Sequence, residues 1–180
     1  MKLLIASDIH GDLDSIQAVI SAFKRHNCDR ILLLGDLLYH GPRNDLPPTY
    51  APKQVISILN ENKSKIFCVR GNCDTEVDQM VLELPILADY ALLELDGLTV
   101  FATHGHKFNK DNMPPLSKGD ILLHGHTHVL CDVDLGKNRY LNPGSVAIPK
   151  ENNKRSFMIY ENRCFTVLDL EDQVILQSKF

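Results

Sequence analysis

Residues 2–12 read KLLIASDIHGD: an apolar run that stops at Ser7 and Asp8, followed by His10 and Gly11. A short continuous apolar run ending in polar and glycine residues is the pattern of a strand buried on both faces. Next to it, from Asp12 to His26, Leu13, Ile16, Val19, Ile20 and Phe23 fall on one helical face, with Asp12 or Asp14 as its cap. RILLLGD, residues 30–36, repeats the strand pattern and closes at Gly35. The loop LLYHGPRNDLPPTYAP, residues 37–52, carries four prolines, and a helix from about Pro52 to Asn62 follows it. KIFCVRGN, residues 65–72, is the third strand. The order βαβαβ predicts parallel strands joined by right-handed crossovers.

The texture changes after about residue 88. In ALLELDGLTVFATHGH, residues 91–106, Asp96-Gly97 separates two strand-like runs, a strong hairpin signal. Further short strands are expected in DILLHG, HVLCDVDL, RYLNPG, RSFMIYEN and RCFTVLDL, with turns at GKN, ENR and EDQ. The pattern predicts an α/β protein of one domain over residues 1–180: two sheets packed face to face with helices outside.

Composition narrows the function. A chain of 180 residues with 44% hydrophobic and 23% charged residues is ordinary globular material. A net charge of -4 excludes a basic face able to wrap extended nucleic acid, while leaving room for a short or cyclic nucleotide. The N-terminal apolar run is too short for a signal peptide, and nothing approaches the roughly 20 apolar residues of a membrane span. Five cysteines without a CxxC pair fit reduced thiols in a cytoplasmic protein.

The polar residues that end the strands carry the chemistry. Asp8 and His10 follow the first strand, Asp36 the second and Asn72 the third. His104 follows the second hairpin strand, and His126 and His128 follow the last long apolar run. Ligand sites in α/β sheets lie beyond the carboxyl ends of strands. Carboxylate, amide and imidazole donors without thiolates suit a pair of borderline divalent cations, a dinuclear Mn, Fe or Zn centre. His126 and His128, two apart on an extended segment, are expected to point to the same side, with His124 sharing that side deeper in the strand.

DIH, GDLLYHG, GNCD, THGH and GHTH, in this order and spacing, resemble the five signature blocks of the calcineurin-like metallophosphoesterases. HGPRN, YAP, VRGNCDTEVDQM and NPGSVAIPK are similar to the small bacterial YfcE-type phosphodiesterases, and the likeness covers nearly the whole chain. The resemblance implies a four-layer α/β/β/α sandwich of two mixed β-sheets and two divalent ions, commonly manganese, with Zn2+, Ni2+ or Fe2+ as alternatives. It also implies that Asp8, His10, Asp36 and His128 hold one ion and that Asp36, Asn72, His104 and His126 hold the other, Asp36 bridging. The implied reaction is hydrolysis of a small phosphodiester by a water or hydroxide between the metals. A phosphomonoesterase on the same centre and a non-catalytic scaffold like the retromer subunit Vps29 are the alternatives. No membrane partner is expected, and a homo-oligomer stays open.

The remaining polar residues divide. A lone strand histidine is more often structural than ligating, which places His124 in a structural role and His26 on a solvated helix end. His106, two residues beyond His104, is within reach of a phosphate, or is a plain surface imidazole. His40 and Arg43 read as solvated loop residues, and Asn142 to Ser145 as a segment that shapes the site. Cys73 departs from the wider superfamily, where a histidine at this place helps protonate the leaving group. A thiol there is a weak acid, a metal-bound thiolate or only a small buried residue. Good leaving groups are therefore favoured, and a short chain without a cap domain predicts an open site of broad specificity.

Overall fold

The computed structural model describes residues 1–180. The elements run β1 (Leu3–Ala6), α1 (Leu13–Arg25), β2 (Arg30–Leu33), α2 (Pro52–Glu61), β3 (Ile66–Cys68) and α3 (Glu76–Val81). They continue as β4 (Tyr90–Leu95), β5 (Leu98–Thr103), β6 (Ile121–Leu123), β7 (Cys131–Asp134) and β8 (Arg139–Asn142). β9 (Ser156–Glu161), β10 (Cys164–Asp169) and β11 (Val174–Lys179) close the chain. One mixed sheet has the order β11-β10-β9-β1-β2-β3, the other β4-β5-β6-β8-β7. β1, β2 and β3 pair in parallel, as the βαβαβ order predicts, and β9 joins β1 antiparallel.

Burial explains the unbroken apolar runs. In β1, Leu4 and Ala6 face α1 and α2, meeting Ile16, Val19, Val55 and Leu59, all buried. Leu3 and Ile5 face the other way, against Val100, Ala102, Ile121 and Leu123 of the second sheet. A strand covered on both sides has no polar face to alternate with. Burying side chains of this size stabilises by about 1.5–3 kcal/mol each before entropy is counted.

Local signals set the boundaries. Asp12 caps α1 by accepting the Ser15 N–H at 3.1 Å. Asp96 and Gly97 both take positive φ, 51° and 77°, the conformation of a tight two-residue hairpin between β4 and β5. Two elements lie beyond the sequence reading. α3 is short and starts with a capping box between Thr75 and Asp78. β11 is largely exposed, so its apolar pattern is weak.

The outer layers differ. α1 and α2 cover the first sheet. The outside of the second sheet, Phe101, Leu122 and Tyr140, is covered by Phe108, Met113 and Leu116 from the irregular segment between β5 and β6. The fourth layer is thus loop rather than helix. No helix is long and apolar enough to cross a membrane, and all five cysteines are free.

Candidate metal centre

Asp8, His10, Asp36, His126 and His128 share a backbone feature: each has positive φ, between 51° and 67°. Left-handed backbone costs a non-glycine residue about 1 kcal/mol or more, and Asp and His tolerate it better than most. Here it folds the chain back just beyond β1, β2 and β6, so that the side chains converge instead of continuing along the strands. The sequence reading placed His126 and His128 on an extended segment. That geometry is corrected: left-handed turns, not strand alternation, bring both into the cluster. His124 does not share their side. As the second residue after Leu122, it stays on the outer face of the sheet, where its ring stacks on Tyr140 at 4.0 Å.

Three imidazoles are held from behind. Nδ1 of His10 donates to Tyr39 O at 2.7 Å, Nδ1 of His104 to Leu34 O at 2.6 Å, and Nδ1 of His128 to Ile148 O at 2.7 Å. A backbone carbonyl on Nδ1 fixes the proton there and turns the Nε2 lone pair inward, the arrangement metal-ligating histidines use. His10 Nε2 and His128 Nε2 then face each other at 3.3 Å, and His128 Nε2 lies 3.3 Å from Asp8 Oδ1. His104 Nε2 lies 3.1 Å from Asn72 Oδ1 and 3.2 Å from His126 Nδ1. Asp36 Oδ2 stands between the two groups, 3.7 Å from His10 Nε2 and 3.4 Å from His104 Nε2.

The donors are buried and mutually charged. Burial disfavours the carboxylate of Asp8, but His10 and His128 outweigh it and hold the carboxyl well below its usual range. For Asp36 burial likewise opposes ionisation and His104 wins. Burial pulls His104 down, yet Asp36 and Asp8 raise its pKa to about 9. His126 is lowered by burial and by the neighbouring His104. Two carboxylates held ionised in a buried site give this cluster its affinity for positive charge.

A cation suits such a site. Asp8 Oδ1 is buried and has no hydrogen-bond partner, with His128 Nε2 beside it at 3.3 Å. Asp8, His10 and His128 bring donor atoms within 4.8 Å of one another, as do Asp8, Asp36 and His104, and His10, Asp36 and Cys73, a carboxylate and imidazole cluster suited to borderline divalent ions. Asp8, His10 and His128 come together on one side, and Asn72, His104 and His126 on the other.

Supporting residues fix the donors. Asp36 Oδ1 accepts the Cys73 N–H at 2.8 Å, which leaves Oδ2 inward. The buried Asp74 carboxylate accepts the N–H groups of Asp36 (2.9 Å), Leu37 (2.9 Å) and Gly71 (2.7 Å), tying the loops after β2 and β3 together. Ser145 Oγ donates to Asp8 O at 3.0 Å, which gives the 142–145 segment its positioning role. Gly71 and Gly125 are sites of close approach: a Cβ would collide with Asp36 at the first and with Ser7 at the second. Asp74 was not singled out by sequence reading, although it ends the GNCD block. An acidic residue two positions after a ligand does not itself signal a buried loop clamp.

The other predicted residues settle as follows. His106 is half-buried, its ring 5.4 Å from that of His104 and 6.2 Å from that of His126, and burial with those neighbours pulls its pKa to about 4. Cys73 is buried, and its thiol lies near His10 and Asp36. Burial, then the Asp36 carboxylate, pushes its pKa up to about 12. Arg43 is exposed but not merely solvated: with Gly41, Pro42, Asn44 and Lys150 it lines a cavity of about 40 Å³ whose floor is Asp36, Asn72, Cys73, His126 and His128. The proline-rich loop therefore walls one side of a site that was expected to be open. His40 packs its ring against Tyr39 and Tyr50, away from this cavity. His26 pairs with Asp172 at 2.9 Å.

A two-sheet sandwich that gathers such donors at its strand ends defines the class of metallophosphoesterases, hydrolases that work with divalent ions. Residues 1–163 match the model of the calcineurin-like phosphoesterase superfamily domain, and the chain belongs to that family. It is 45% identical to phosphodiesterase YfcE of Escherichia coli over 98% of this chain and 96% of that one. The solved structure of YfcE, a phosphoesterase from E. coli, superposes with a TM-score of 0.96 at 44% identity, covering 99% of this chain and 98% of that one. Vacuolar protein sorting 29 from Cryptosporidium parvum shares the fold at a TM-score of 0.66 and 17% identity, covering 99% of this chain and 97% of that one.

Proposed function

We propose that the chain is a phosphodiesterase of small diesters, acting at a dinuclear centre in one domain of residues 1–180 in the cytoplasm. Asp8, His10, Asp36 and His128 hold one ion, and Asp36, Asn72, His104 and His126 the other. Manganese is the proposed native metal on the resemblance to the YfcE-type phosphodiesterases, and the mixed carboxylate and imidazole set fits Mn, Fe or Zn. The carrying observation is Asp36 Oδ2, within 3.7 Å of His10 Nε2 and 3.4 Å of His104 Nε2. Held there, a pair of divalent ions supplies a nucleophile of lowered pKa and positive charge for the phosphoryl oxygens.

The protein's own groups do the rest. Asn72 and His104, 3.1 Å apart, set the geometry of the second group of donors. Arg43 and Lys150 add positive charge on one wall, attracting an anionic phosphoryl group. Cys73 is next to the reacting centre, and in the metal-free chain burial and the Asp36 carboxylate push its thiol up to about 12, a poor proton donor. His106, neutral with a pKa of about 4, can accept rather than donate a proton there. Little help to the leaving group is available, so diesters with good leaving groups are the substrates, ahead of monoesters.

The deciding experiment strips the protein of metal, resupplies Mn2+, Zn2+, Ni2+ or Mg2+, and compares bis(4-nitrophenyl) phosphate with 4-nitrophenyl phosphate. Metal-dependent hydrolysis with the diester preferred is expected. A monoester preference with every ion would make it a phosphomonoesterase, and no turnover with any would leave the scaffold role.

A further inference from the structure

Beside Cys73 lies a second hollow of about 390 Å³. Its walls include Tyr39, Tyr50 and Ile56, with Val77 and Val81 one helical turn apart on α3. Val77 and Val81 are 70% and 46% exposed. Two valines left in water on a six-residue helix, facing an exposed tyrosine, do nothing for the core.

The groove adjoins the reaction cavity. Cys73 lines both, and its thiol lies within 4.8 Å of ligand atoms of His10 and Asp36. Tyr39, another groove residue, is the one whose carbonyl holds the His10 ring. A phosphoryl group at the donor cluster therefore has two different walls beside it. Arg43 and Lys150 offer charge to its unesterified oxygens, and the groove offers an apolar shelf to a substituent that points away from them. The hollow is within the range of small-ligand sites, roughly 300–1,000 Å³.

We infer that this groove is a substrate subsite: it takes an apolar or aromatic ester substituent of the phosphodiester and so sets which diesters are used. The inference rests on the phosphodiesterase reading of the neighbouring centre. Val77, Val81 and Tyr39 are its specificity-determining side chains. A small substituent such as methyl reaches none of them.

The test is direct binding rather than turnover. Manganese-loaded protein is titrated calorimetrically with methylphosphonate, butylphosphonate and phenylphosphonate, each with one substituent that must choose a wall. Phenylphosphonate should bind at least about tenfold more tightly than methylphosphonate, since one buried methylene is worth roughly tenfold or more in a closed pocket and an open groove captures part of that per carbon. In the Val77→Ser/Val81→Ser variant the ratio should fall at least about threefold. Val81→Thr, nearly isosteric, gives a smaller fall and stands in if the double variant is poorly folded. Equal affinities across the series in the wild type would overturn the subsite, as would a ratio untouched by the valine substitutions. Equal affinities together with dissociation of a dimer by Val77→Ser/Val81→Ser in sedimentation would assign the groove to a second copy of the chain instead. Absence of diester hydrolysis with the phenyl preference intact would overturn the reaction and leave the groove standing.

Discussion

The Nε2 atoms of His10 and His128 face each other at 3.3 Å, each ring having committed its proton to a backbone carbonyl on the opposite side. Two lone pairs at that separation would repel, and a proton or a metal cation relieves them, so the backbone that orients the rings also aims their free nitrogens at one position.

Asp36 belongs to both groups of donors, so Asp36→Asn should lower occupancy of both metals, while Asn72→Ala should empty mainly one. Elemental analysis of the purified variants reads this directly. Retention of two ions by Asp36→Asn would refute the shared carboxylate.

Metal uptake should depend on pH through His104. Burial lowers its proton affinity, Asp36 and Asp8 more than restore it, and the pKa stands at about 9. At pH 7 the metal-free ring is protonated and must release that proton before its Nε2 lone pair is free. Affinity for Mn2+ should therefore rise as pH increases toward about 9, with about one proton released from this group near neutrality. The raised pKa also stabilises the metal-free fold fully below the unfolded value near 6.5, a contribution lost as pH rises through about 9. Calorimetry in buffers of different ionisation enthalpy counts the protons; none released at pH 7 contradicts the assignment.

Asp74→Ala removes the acceptor of three backbone N–H groups at once. Leaving them buried should cost about 3 kcal/mol or more in metal-free stability, measured by urea unfolding, and should loosen metal binding through Asp36. A loss under about 1 kcal/mol would mean that solvent reaches those groups.

His124→Phe should keep metal content intact, because the ring stacks on Tyr140 outside the cluster. His126→Phe should not. Equal metal loss in the two variants would place His124 among the donors after all.

Cys73→His should flatten the dependence of log kcat on leaving-group pKa, since an imidazole donates a proton near pH 7 and such help is typically worth about 10²–10⁴. Cys73→Ser should change little. An unchanged slope with histidine would show that this position does not face the leaving group.

Much of the molecule was legible in order. The apolar runs, the Asp12 cap and the Asp96-Gly97 turn are local signals, and each acts within a few residues of where it is written. The seven polar residues after the strands could be named for the same reason: they interrupt apolar runs, where a polar side chain needs a purpose. α3 was not visible, because its signal is one capping box over six residues. β11 was not visible either, because most of its side chains are exposed.

Only the tertiary structure decided how those residues meet. Positive φ at Asp8, His10, Asp36, His126 and His128 is costly locally and persists because distant groups hold it. Ile148 O fixes His128, Leu34 O fixes His104, and Asp74 fixes the loop of Asp36, contacts that span 20 to 70 residues of chain. The same holds for Arg43, Lys150 and the groove of Val77 and Val81, which border one centre from separate loops and a helix. Which polar residues end the strands is written in short-range patterns of polarity; which way they point depends on hydrogen bonds and packing between segments that become neighbours only when the two sheets close on each other.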